Sequence, residues 1–187
     1  MYELETERLI MRPFRASDVG FLNFLHSDLD VLRYTLGRTR SYDENVVYAK
    51  TMMELHEQNL GHLVVIRKED NTAIGRCGFS HFYGVQFDGM DHYYWGSADK
   101  VTKDGDIFQL LELGYTYSKQ AWGKGYATEA ALAFRDYGFN TLRYDEISSL
   151  VIKENLASIK VAKKLGATDI TDCMVHDSPS FNLTNRK

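Results

Sequence analysis

The order of predicted elements points to an α/β fold of the α+β type, a mixed sheet with helices on its faces. Three observations predict it. Strands come first, a strand–helix–strand–helix segment follows, and further strands close the chain. Proline occurs only at Pro13 and Pro179, and no Ser/Gly-rich or Pro-rich linker or internal repeat divides the sequence. The 187 residues, 44% of them hydrophobic, suffice for one core, so a single domain over 1–187 is expected.

Leu9–Phe14 reads as a first strand. Ser17 or Asp18 can cap a helix carrying Val19, Phe21, Leu22 and Leu25. Ser41 followed by Glu44 fits a capping box, opening a helix with Val46, Val47, Ala49, Met52, Met53 and Leu55 on a buried side and Gly61 at its end. His62–Arg67 and Ala73–Phe82, joined by the turn residues Glu69–Thr72, form a hairpin. The segment 84–106 mixes Gly84, Gly89, Gly96 and Gly105 with Tyr93, Tyr94 and Trp95, and reads as strand extensions around a long loop. Ile107–Tyr117 is a strand, Ala127–Phe139 a helix and Glu146–Ile152 a strand. Asn155–Leu165 is a helix stopped by Gly166 in a left-handed cap. Thr168–Val175 and Ser180–Thr184 supply two short strands, one of which is expected at a sheet edge, where a second copy could pair to give a homodimer.

Bulk properties exclude several function classes. A net charge of −4 carries no nucleic-acid footprint, which would be basic. No apolar run approaches the roughly 20 residues that span a bilayer, and the acidic start Met1–Glu5 is no secretory signal, so no membrane partner and a cytoplasmic location are expected. Cys77 and Cys173 form no CxxC pair, and no His/Cys/Asp cluster has metal-ligand spacing, so no metal is expected.

The chemistry should lie at Glu112–Ala130. A strand ends near Tyr117, a short turn holds Gln120–Gly125, and a helix then starts. Gly123 and Gly125 allow a tight turn and close approach of a ligand. The free N–H groups and positive dipole end of the new helix favour a phosphate or pyrophosphate before Tyr126. A Walker A loop needs Ser or Thr after Gly-Lys, but Gly125 follows Lys124, and the upstream glycine is missing. A dinucleotide fingerprint needs Gly or Ala where Thr128 stands. A glycine-rich turn holding no ligand is the remaining alternative.

Gln120, Gly123 and Gly125 match Gln/Arg-x-x-Gly-x-Gly/Ala, so the segment resembles the cofactor motif of the GNAT N-acetyltransferase superfamily. The opening Leu4–Arg12, the run Glu112–Tyr115, and Asn155–Ser158 leading to Lys164–Ala167 resemble its ribosomal-protein N-terminal acetyltransferase branch, over about Leu4 to Ala167. The resemblance implies a mixed, mostly antiparallel sheet splayed at a central parallel strand pair after Leu113 and before Ile152, with helices on both faces. It implies acetyl-CoA as cosubstrate. Pantetheine would pair with the strand edge at Leu113, Gly114 and Tyr115. The pyrophosphate would meet the N–H groups of Trp122, Gly123, Lys124, Gly125, Tyr126 and Ala127. Asn155 and Ser158 would face the thioester, although Asn155 also reads as a plain helix cap.

Acetyl transfer to a protonated amine is helped by a base. Glu112, set among Leu111 and Leu113, is the leading candidate; a solvated strand-edge acid is the bland alternative. His81 and Tyr115 are reserves. Ser158 could hydrogen-bond the leaving thiolate. Many members of the superfamily supply a tyrosine for that purpose where Ala162 stands here, so that donor is missing. Beyond the thioester, Asp88, Asp91, Asp99, Asp104 and Asp106 could attract an amine, and Tyr93, Tyr94 and Trp95 could line its path, although a charged loop is more often simply solvated. The acceptor would be a small-molecule or peptide amine. A non-catalytic acyl-CoA-binding module is the second reading.

Overall fold

Apolar runs flanked by turn residues build the sheet, and the spacing of buried side chains builds the helices. The computed structural model describes residues 2–187. The chain divides into two compact units, Met1–Phe79 with Tyr115–Phe134, and Ser80–Gly114 with Arg135–Lys187.

In the first unit, β1 (Leu4–Glu5), β2 (Leu9–Arg12), β3 (Gly61–Arg67) and the start of β4 (Thr72–Phe87) pair antiparallel in that order. The end of β6 (Ile107–Tyr117) lies against β4, and the Ser118 N–H donates to the Ile74 carbonyl at 2.9 Å. Gly75 permits this approach, since a Cβ there would sit 2.6 Å from the Thr116 carbonyl oxygen. Helices α1 (Val19–His26), α2 (Leu29–Leu32), α3 (Tyr42–His56) and the first turns of α4 (Tyr126–Asn140) complete the unit. Phe14, Leu22, Tyr48, Met52 and Val64 form its core.

Three expectations are corrected here. The buried face of α3 is Asn45, Tyr48, Ala49, Met52 and His56, at helical spacing, whereas Val46, Val47 and Met53 are exposed. Gly61 does not end that helix. It opens β3 at φ +82, where a Cβ would press on Leu55 and the Met52 carbonyl. Asp18 occupies the position before α1, but its carboxylate does not cap the helix. It accepts from Arg12 at 2.7 and 2.8 Å and from the Arg15 N–H at 2.7 Å. The Ser41–Glu44 capping box is present as expected.

In the second unit, the end of β4 pairs with β5 (Met90–Trp95). β5 is followed across the sheet by β8 (Asp169–Val175), β9 (Ser178–Arg186), β7 (Glu146–Ile152) and β6. β5–β8 and β6–β7 are parallel, and the other pairs are antiparallel. The sheet is therefore mixed. Helix α5 (Leu156–Lys164) ends with Gly166 at φ +93, as expected.

The expected long loop is mostly a hairpin. β4 extends to Phe87, Asp88 and Gly89 turn at φ 50 and 75, and β5 returns. The two last strands are not edges. β8 lies between β5 and β9, and β9 lies between β8 and β7, so the feature that suggested a homodimer is absent. No helix among the described residues is long and apolar enough to cross a membrane.

Candidate active site

The glycine turn lies in the first unit. After β6, Lys119–Ala121 makes one 3-10 turn, and Trp122 is extended. Gly123 and Gly125 then take φ +72 and +82, and α4 begins at Tyr126. A Cβ at Gly123 would meet nothing within 4 Å, so the need for glycine there is conformational rather than steric. The N–H groups of Gly123, Lys124, Gly125, Tyr126 and Ala127 meet no protein acceptor among the described residues. That leaves a row of donors at a helix start, suited to an anionic oxygen. Trp122 departs from expectation: its backbone N–H donates to the Lys119 carbonyl at 3.1 Å. Its indole N–H donates across the turn to the Tyr117 carbonyl at 2.8 Å. Gln120 is exposed on the turn.

The brace on this turn was not read from the sequence. Glu129, in the first turn of α4, accepts from the Thr6 hydroxyl, the Arg8 N–H and the Arg8 guanidinium. Arg8 also donates to the Lys124 carbonyl at 3.0 Å and lies over the Tyr126 ring. Burial raises the Glu129 carboxyl, but the bonds from Thr6 and Arg8 outweigh it and hold its pKa below the usual value. Lys119 is tied to Asp28 and Asp30 on the other side. A cleft of about 360 Å³ lies there, lined by residues of the Phe24–Val31 stretch and by Ser118, Lys119 and Gln120. An acid in a first helical turn is a local signal; its partner 121 residues away is not.

The second unit holds the other candidates. β6 and β7 pair at a single register position, Glu112 opposite Ser148, and part beyond it, as expected of splayed strands. The backbone of Leu113 and Gly114 follows directly, and Tyr115 continues the strand in the first unit. Glu112 is 9% exposed, which rules out the solvated strand-edge reading. Asn155 caps α5, its Oδ1 accepting from the Ser158 N–H at 3.2 Å, so the cap role is real. Ser158 is half-buried. Ala162 is fully buried beside Val151 and Leu183, so this position belongs to the core. His81 is half-buried, and burial lowers its pKa.

Two of the three aromatics that could line an acceptor path are buried. Tyr93 and Tyr94 are 2% and 5% exposed. Their hydroxyls are engaged, Tyr93 with Asp91 and Asn182 and Tyr94 with Thr102. Asp99 is engaged by Ser97. Trp95 alone of the three aromatics is exposed. No group of three or more His, Cys, Asp or Glu among the described residues is placed to hold a metal ion.

Comparison with known proteins gives the family. Residues 8–168 match the family model of the acetyltransferase (GNAT) domain. The chain is 46% identical over 172 residues to the uncharacterized protein YkkB of Bacillus subtilis (strain 168), covering 88% of this chain and 84% of that one. It is 31% identical over 170 residues to the uncharacterized N-acetyltransferase p20 of Bacillus licheniformis, covering 88% and 82%. Among solved structures, a ribosomal L7/L12 α-N-protein acetyltransferase in complex with coenzyme A superposes with a TM-score of 0.69 at 12% identity, covering 99% of this chain and 98% of that one. The chain belongs to the GNAT acetyltransferase family, whose acyl donor is acetyl-CoA.

Proposed function

We propose that the protein is an acetyl-CoA-dependent N-acetyltransferase that moves the acetyl group to a primary amine by direct attack in a ternary complex. The row of unengaged N–H donors from Gly123 to Ala127, braced by Arg8 and Glu129, is the observation that carries this reading. Those donors suit the pyrophosphate of coenzyme A. Gln120 and Lys124 flank it, and Trp122 acts through its indole brace. The backbone of Leu113, Gly114 and Tyr115 is assigned to the amide-rich pantetheine arm. Asn155 sets the start of α5, and the Ser158 hydroxyl is assigned to the leaving sulfur.

The amine lone pair attacks the thioester carbonyl carbon, forming the C–N bond as the C–S bond breaks. Glu112 is assigned the amine proton, directly or through water. The coenzyme A thiolate leaves and takes a proton from solvent, with the Ser158 hydroxyl hydrogen-bonded to it. A core alanine at position 162 offers no phenol for that step. This last feature is the one that favours the second reading, a non-catalytic acyl-CoA-binding module.

Calorimetric titration tests the cofactor site. Valine at φ +82 is strained whatever the space, so Gly125→Val should distort the turn. The folded variant should bind acetyl-CoA at least about tenfold more weakly, a loss of one charge-assisted bond or more. Unchanged affinity would remove the turn from the site.

A further inference from the structure

The first unit buries two guanidinium groups that no carboxylate neutralises. Arg76 on β4 is 6% exposed, and Arg40, in the segment before α3, is partly buried. Both lie over the same Tyr48 ring, with Cζ 5.1 and 4.7 Å from its centroid. Elsewhere in this unit buried arginine is treated differently: Arg12 meets Asp18. Neither Arg40 nor Arg76 is within ion-pair distance of any carboxylate among the described residues. Burial and Arg76 work against the Arg40 charge, while Tyr48 and then Glu44 favour it through space; Glu44 is itself occupied by Arg38 and by the Ser41 N–H.

The two histidines beside them are held uncharged by burial and supply no negative charge. Arg76 donates to His62 Nδ1 at 2.7 Å. Guanidinium only donates, so Nδ1 is bare, and the Tyr48 hydroxyl, also at 2.7 Å, donates to it as well. The proton of neutral His62 is therefore on Nε2. Burial, followed by Arg76, keeps this ring uncharged. His26 donates from Nδ1 to Asn45 Oδ1 at 2.7 Å. What remains is an excess of buried donors without partners, His62 Nε2, Arg76 Nε, Arg40 Nε and Asn45 Nδ2, against one bare acceptor, His26 Nε2. An excess of donors around two cations calls for an anionic oxygen acceptor.

We propose that Arg40, Arg76 and His62 form a binding site for a carboxylate, and that the acceptor amine presents that carboxylate. The second clause rests on the acetyltransferase reading. Planar guanidinium groups suit a carboxylate by bidentate donation. Arg40 is the least buried of the three. Leu25 and Ser27, on either side of His26 in sequence, line the cleft that reaches Ser118–Gln120. The substrate class is thus a free amino acid or a similar small amine with its own carboxylate.

Matched pairs test this, with free amino acids against their carboxamides and inorganic phosphate as a third probe. In the binding arm, thermal melting is followed without acetyl-CoA. A subset of the acids should stabilise the wild type, while the matching amides and phosphate should not. Arg40→Gln should lose that stabilisation, and Arg40→Lys should recover only part of it. In the turnover arm, thiol release should favour the acid of a productive pair. Arg40→Gln should raise its KM by about 10- to 100-fold, the worth of a lost bond between charged groups, with acetyl-CoA affinity unchanged.

Equal behaviour of acids and amides, or an acid preference that survives in Arg40→Gln, would overturn the proposal. Stabilisation by phosphate as strong as by the acids would overturn the carboxylate assignment. Arg40-dependent binding of acids with no turnover of any amine would uphold the carboxylate site and defeat the transfer reading. Turnover without acid preference would do the reverse.

Discussion

Glu112 shows what a single carboxylate on a buried strand can be asked to do. At 9% exposure it is not a solubilising acid, and it stands at the one register pair of β6 with β7, opposite Ser148. Glu112→Gln keeps the shape and most of the hydrogen bonding but removes the base. Turnover of a protonated amine should fall by about 10²–10⁴, while acetyl-CoA affinity hardly changes. The acidic limb of the pH–rate curve should flatten. A folded Glu112→Gln enzyme with wild-type turnover near neutral pH would end the assignment and turn attention to His81. Asp18 is a contrasting case with a structural task. Burial works against its charged form, yet the bonds from Arg12 and Arg15 win and hold its pKa below the ordinary value. A depressed carboxyl stabilises the fold above its unfolded pKa, near 3.8, and that stability is lost as pH falls through the lower folded value. Asp18→Asn should cost about 2–3 kcal/mol at neutral pH in denaturant unfolding, because it strands Arg12. A cost below about 0.5 kcal/mol would show the pair to be incidental.

Among the elements, α1 and α3 carry the most unusual chemistry. Their buried polar residues His26, Asn45 and Tyr48 occupy positions that helical spacing turns inward, beside ordinary core residues such as Leu22 and Met52. Burial, helped by Arg76, pushes the His26 pKa down to about 3. The sign follows: a group whose folded pKa is depressed stabilises the protein above its unfolded pKa of 6.5, and this is lost progressively as pH falls toward 3. Melting temperature should therefore begin to drop below about pH 6.5, before carboxylates titrate. His26→Gln, compared with its own value at neutral pH, should lose less between pH 6.5 and 5. An identical slope would place the acid sensitivity elsewhere.

The turn and α4 were the most legible part of the chain. Gly123, Gly125 and the helix that follows are local signals, and the structure realises them within a residue. The apolar strands Ile107–Tyr117 and Glu146–Ile152 were bounded correctly for the same reason. What escaped was non-local. Nothing near Glu129 announces Thr6 and Arg8, and nothing near Tyr93 announces Asn182. The buried face of α3 is not legible from apolar spacing, because Val46, Val47 and Met53 are apolar but face solvent, while Asn45 and His56 are polar but buried. The interior positions of β8 and β9 depend on strand order, which their short runs do not encode.

At the scale of the whole molecule, the proposed function makes acetyl-CoA binding and amine acetylation one activity, with the glycine turn as its anchor. Binding to the folded state alone should raise stability by about 2.7 kcal/mol at a hundred times the dissociation constant, so melting should shift upward with acetyl-CoA and much less in Gly125→Val. The most direct test is thiol release from acetyl-CoA across a panel of amines, with mass spectrometry of the amine product, run on wild type and on Gly125→Val. Wild type should show amine-dependent release and an acetylated product, and the variant a severe loss at fixed acetyl-CoA. Acetyl-CoA that binds at the turn but releases no thiol with any amine, or release that is as fast in Gly125→Val, would contradict the proposed function.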